Sequence, residues 1–86
     1  MATLVQKDTR LTAAMKLVLI LDDFLRAGET TRALKVIEAL AATGSPLAAD
    51  KLAQLFDQTE DPAMEDGIIQ ALGEVARNAS RAPSEA

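Results

Sequence analysis

The chain has no cysteine, histidine, tryptophan or tyrosine, and only two aromatic residues, Phe24 and Phe56. Without cysteine there is no disulfide, thiol nucleophile or covalent haem attachment. Without cysteine and histidine the usual structural zinc sites cannot form, and no imidazole base titrates near neutral pH. Two phenylalanines offer almost no stacking platform for single-stranded nucleic acid. The four glycines, at positions 28, 44, 67 and 73, are dispersed, so no glycine-rich phosphate loop exists. β-branched residues are few and never alternate over a useful length, which excludes an obvious strand. The longest strongly apolar run, Leu17 to Leu21, stops at Asp22 and Asp23. A membrane span needs about 20 apolar residues and a secretory leader about 7–15. The cytoplasm is the expected location.

Alanine and leucine supply 29 of the 86 residues, and the net charge is −4. One small domain of this length buries about 60% of its unfolded surface, enough for a core with little in reserve. The acidity disfavours nucleic acid and anionic membrane as direct partners. Charge is unevenly spread: residues 1–43 carry six basic and five acidic side chains, residues 44–86 three basic and eight acidic. The acidic half suits either a solvated surface or a basic partner.

Hydrophobic spacing and capping signals predict four helices. Residues 1–8 lack a helical period and read as an extension. Asp8 or Thr9 can cap a first helix over about 10–27, ended by Gly28. Its apolar residues Leu11, Met15, Leu17, Val18, Ile20, Leu21, Phe24 and Leu25 cover more than one face, so it should be the most buried helix. Thr30 or Thr31 starts a second helix to about Thr43, with Leu34, Ile37, Leu40 and Ala41 inward and Gly44 as its stop. Ser45-Pro46 and Asp61-Pro62 each place a capping side chain before a proline at the first helical position. They open a third helix to about Asp57, with Leu47, Ala48, Leu52, Leu55 and Phe56 inward. The fourth runs to about Asn78, with Met64, Ile68, Ile69, Leu72, Val75 and Ala76 inward. On that facing Ile69→Asp would unfold the domain. Gly67 and Gly73 inside the fourth helix are read as points of close helix approach. Residues 80–86 read as a disordered tail, leaving one helical domain over 9–79.

The chain resembles itself. Lys16-Leu17-Val18-Leu19-Ile20-Leu21-Asp22 matches Lys51-Leu52-Ala53-Gln54-Leu55-Phe56-Asp57, 35 residues later. Val36-Ile37-Glu38-Ala39-Leu40 matches Ile68-Ile69-Gln70-Ala71-Leu72, 32 residues later. Two helical hairpins in tandem, or an ordinary four-helix bundle of similar composition, would both read this way. The second unit resembles a HEAT repeat: Leu52, Leu55 and Phe56, then the Asp61-Pro62 turn, then Ile69, Ala71-Leu72-Gly73 and Val75-Ala76. Its period of 32–35 residues fits a tetratricopeptide repeat better, and Gly28, Ala33 and Pro46 sit near that family's small-residue and proline positions. Either resemblance implies stacked antiparallel helices that bind other proteins. The expected fold class is all-α, four antiparallel helices forming two stacked hairpins or a four-helix bundle. Two units are fewer than such arrays usually need, so the outer faces of both hairpins, the over-apolar first helix foremost, should stay partly apolar and favour association.

The sequence from Asp57 to Ile68 is the one carboxylate cluster. As a calcium loop it has oxygens at Asp57, Thr59 and Asp61, then fails with Pro62 where glycine is needed and Ile68 where a bidentate glutamate is needed. A solvated turn with acidic residues at a helix start explains it. Ser45 is spent as a cap, and no histidine activates Ser80 or Ser84. No catalytic residue, metal site or cofactor is expected. Arg26, Arg32 and Lys35 gather round the first turn, with Glu29 and Glu38 to balance them. Phe56 reads as core and Phe24 as nearer the surface. The expected function is therefore a non-catalytic interaction or adaptor module, a homodimer or part of a hetero-complex. It would dock another protein through Leu17, Ile20, Leu21 and Phe24, with Glu60, Asp61, Glu65 and Asp66 as a polar rim for a basic surface. The alternatives are a small acidic chaperone for an export substrate or assembly subunit, and an inhibitor masking a basic surface.

Overall fold

Capping chemistry sets the helix boundaries in the computed structural model, which describes residues 9–80. The helices are α1 (Thr9–Arg26), α2 (Thr30–Thr43), α3 (Pro46–Gln58) and α4 (Pro62–Ser80). The expectations for residues 1–8 and 81–86, and for Asp8 as a cap, lie outside the described residues. α1 ends in a Schellman motif: Glu29 N–H donates to the Phe24 carbonyl at 2.9 Å and Gly28 N–H to the Leu25 carbonyl at 3.1 Å. That turn needs a left-handed residue, and Gly28 supplies it at φ 74°. Ser45 Oγ accepts from Leu47 N–H at 3.1 Å and Asp61 Oδ1 accepts from Ala63 N–H at 3.0 Å, so both residues before proline act as caps.

The fold is all-α, with no strand among the described residues. Connections of two or three residues make successive helices antiparallel neighbours. α1 packs on α2 and α3 on α4, and the two hairpins join chiefly through α2 against α4. α3 also touches α1 and α2, whereas α1 and α4 scarcely meet. The core follows: Ala33, Val36, Ile37, Leu40 and Ala41 of central α2 meet Leu21 of α1, Leu52 and Leu55 of α3, and Met64, Ile68 and Val75 of α4. Lys51 Nζ donates to Asp22 Oδ1 at 2.8 Å and ties α3 to α1. Asn78 Nδ2 donates to the Ala41 carbonyl at 3.1 Å and ties the end of α4 to the end of α2. No helix among the described residues is long and apolar enough to cross a membrane.

Three expectations are corrected. α1 is not the most buried helix: over residues 11–26 only Ala14 and Leu21 are enclosed, while Met15 is 53% and Leu19 62% exposed. α1 is an edge helix, and apolar content sets how much a helix can bury, not how many neighbours it has. Phe56, read as core, is 38% exposed, and Phe24 is half-buried against the core. Ile69 is 55% exposed beside the fully enclosed Ile68, and Ala76 is exposed too.

The two helical glycines also differ. A Cβ on Gly67 would come within 2.6 Å of Leu34 Cδ2, a close approach of α4 to α2. A Cβ on Gly73 would meet nothing within 4 Å. Gly73→Ala should therefore stabilise the domain by about 0.5–1 kcal/mol through helix propensity alone. A thermal melt of the dilute protein should show the midpoint rising by about 4 °C.

Candidate interaction surface

The predicted apolar docking group does not form one open face. Leu21 is fully enclosed in the core. Leu17, Ile20 and Phe24 are half-buried and packed against it. Asp22, bridged to Lys51, marks the side of α1 that faces α3. Ile20 and Phe24 each lie two residues from it, about 200° round the helix, and so turn away from α3. The Arg32 guanidinium carbon lies 5.6 Å from the centroid of the Phe24 ring, a cation–π contact on this outer flank of the first hairpin.

The predicted acidic rim lies on the other hairpin. Glu60, Asp61 and Asp66 are exposed and Glu65 is half-buried. Asp61 is occupied as a cap: besides its side-chain bond to Ala63, its carbonyl accepts from Glu65 N–H at 2.9 Å and its own N–H donates to Thr59 Oγ1 at 3.2 Å. The acidic group therefore borders the α3–α4 turn, while Ile20 and Phe24 face away from α3 and the second hairpin. The structure does not join the two predicted groups into one surface. Among the described residues no group of three or more carboxylates is placed to hold a metal ion.

Two apolar surfaces are open instead; outer faces of this kind are expected from the sequence, but on other side chains. Leu11, Met15 and Leu19, at four-residue spacing, form a stripe along α1 on the same flank as Asp22. The other surface is the outer side of the second hairpin. Gly67, which abuts Leu34, marks the side of α4 that faces α2. Ile69 lies about 200° round from it, with Leu72 and Ala76 on the same far side. Phe56 lies about 140° round α3 from Lys51, away from α1. Phe56, Ile69, half-buried Leu72 and exposed Ala76 thus share the end of the stack, bordered by Glu65 and Asp66.

Comparison with protein-family models, curated proteins and solved structures returned no match.

A groove of about 650 Å³ also runs between α2 and α4. Its floor is small side chains, Ala41, Ala42, Ala63 and Gly67, and its rim carries Glu38 and the Glu74–Arg77 ion pair at 3.0 Å. The remaining ion pairs are surface pairs: Arg26–Asp23 at 2.8 Å and Arg32–Glu29 at 3.6 Å. They account for two of the three basic residues at the first turn. Exposed pairs of this kind contribute well under about 1 kcal/mol each.

Proposed function

We propose that the protein is a non-catalytic interaction module, a two-unit helical repeat that docks another protein along α1. One observation carries the reading: Leu11, Met15 and Leu19 form an open apolar stripe of 39%, 53% and 62% exposure along an edge helix. The stripe is not a by-product of the hairpin architecture. Thirty-five residues on from Met15 and Leu19 stand Asp50 and Gln54, both polar and exposed. The second hairpin therefore presents an ordinary solvated face where the first presents leucine and methionine. Methionine adapts to irregular partner surfaces, and three aligned apolar side chains suit the groove of another helical protein.

The test is a double substitution, Met15→Glu with Leu19→Glu. Both side chains face solvent, so the melt should change by no more than about 1 kcal/mol. A partner recovered with the wild-type chain from its native host should be lost with the variant. Because the contact is apolar, recovery should persist at high salt. A partner retained equally by the variant would place the docking surface elsewhere. Loss at moderate salt with wild-type bait would favour masking of a basic surface by the acidic half.

A further inference from the structure

The joint between the two hairpins is a template for a second joint that the chain leaves open at both ends. On the first hairpin's side of the joint, Leu21, Ile37 and Leu40 are essentially fully buried. Their counterparts in the sequence match are Phe56, Ile69 and Leu72. These keep the apolar character and lose the burial: Phe56 and Ile69 are exposed and Leu72 is half-buried. On the second hairpin's side, Leu52, Leu55 and Ile68 are buried. Their counterparts Leu17 and Ile20 are only half-buried, whereas Val36 stays buried within the first hairpin. Each hairpin therefore has a second apolar face that the chain covers less fully than the joint.

The polar contacts follow the same template. Asp22 and Lys51 bridge the joint at 2.8 Å. Their counterparts are Asp57 and Lys16, both exposed and neither in an ion pair among the described residues. Leu34 meets the Gly67 position across the joint. Carrying the same 32-residue offset outward gives Asp66 on the open end of the second hairpin and Lys35 on that of the first. Both template contacts thus map onto opposite charges on the two open faces.

We propose that the chain stacks head to tail on a second copy of itself. The end carrying Phe56, Ile69 and Leu72 receives the Leu17 and Ile20 face of the next copy, with Asp57 set against Lys16 and Asp66 against Lys35. The charges select this arrangement over a two-fold dimer. Pairing two second-hairpin ends would bring the Asp57, Glu65 and Asp66 group against the same acidic group of the other copy. Pairing two first-hairpin ends would likewise bring Lys16 and Lys35 against the same two lysines. Like charges facing one another are destabilising. A contact between two different faces leaves one face of each kind free after every addition, so growth passes beyond two copies with concentration, as an open series or, where the rotation closes, a ring. The stacking faces are separate from the α1 stripe, so either reading can fail without the other.

Light scattering on the 86-residue chain, over about 10 µM to 1 mM, tests the proposal. The average mass should rise continuously, without levelling at two copies. Ile69→Lys alone should stay monomeric with an unchanged melt. Added to wild type it should still bind, through its intact first-hairpin face, and shorten the series. Lys16→Glu and Asp57→Lys should each weaken self-association by about tenfold, and the double variant should recover it. A wild-type chain that stays monomeric throughout would overturn the proposal. So would a plateau at two copies from which Ile69→Lys is excluded, or a double charge variant no better than the singles.

Discussion

Ile68→Asp should leave the chain largely unfolded at 25 °C, while Ile69→Asp one residue on should melt within about 1 kcal/mol of wild type. Ile68 is fully enclosed among α4 and its neighbours, and no cation lies in that core to pair with a carboxylate. An unpaired buried charge costs several kcal/mol, about 4 or more once the lost packing is added. A domain of this size has a total stability of about 4–13 kcal/mol, so the cost approaches the whole of a marginal fold. Ile69 lies about 100° round the helix with more than half its surface in water. Paired melts followed by far-ultraviolet circular dichroism check both. Similar melts for the two variants would mean that α4 is rotated from the facing described.

The same pair of residues marks the limit of what the sequence discloses. Capping chemistry is local, so Ser45-Pro46, Asp61-Pro62, Gly28 and Gly44 disclose helix boundaries to within a residue or two, and with them the all-α class. Facing is not local. On α4 the rows Met64-Ile68-Leu72-Val75 and Ile69-Leu72-Ala76 are both acceptable seams, and only the position of α2 at Gly67 decides between them. On α1 nine large apolar residues allow any rotation, and among them only Leu21 is fully enclosed, beside Ala14, because the helix has one full neighbour. The candidate surfaces were illegible for that reason. Leu11, Met15 and Leu19 look like core until α1 is known to be an edge. Phe56 and Ile69 look like core because their counterparts Leu21 and Ile37 are core. The signal that could have found them was the self-match of the sequence: two packed hairpins leave an outer face on each, and the matched residues say which side chains lie there.

Gly44→Ala should cost about 3 kcal/mol, against about 1 kcal/mol for Gly28→Ala. Both glycines hold left-handed φ, at 64° and 74°, so both substitutions incur the penalty of a Cβ in that region, about 1–2 kcal/mol. They differ in their surroundings. A Cβ on Gly28 would meet nothing within 4 Å. A Cβ on Gly44 would fall 3.0 Å from Asn78 Cβ, 3.1 Å from the Asn78 carbonyl carbon and 3.2 Å from Ala79 N. Two of those three atoms are backbone and cannot rotate aside, so α4 must shift, at an overpacking cost of about 1–3 kcal/mol. The shift would also strain the Asn78 bond to the Ala41 carbonyl, which joins the ends of α4 and α2. At about 4–8 °C per kcal/mol for a domain of this length, the two melting midpoints should stand roughly 10 °C apart. Equal midpoints would mean that the end of α4 yields freely, and then the joint between the hairpins is held by its apolar side chains and the Asp22–Lys51 bridge alone. A large gap would make the α2–α3 connection a fixed corner against which α4 is seated. The angle between the hairpins, and so the orientation of one outer face relative to the other, would then be set by a glycine that touches neither.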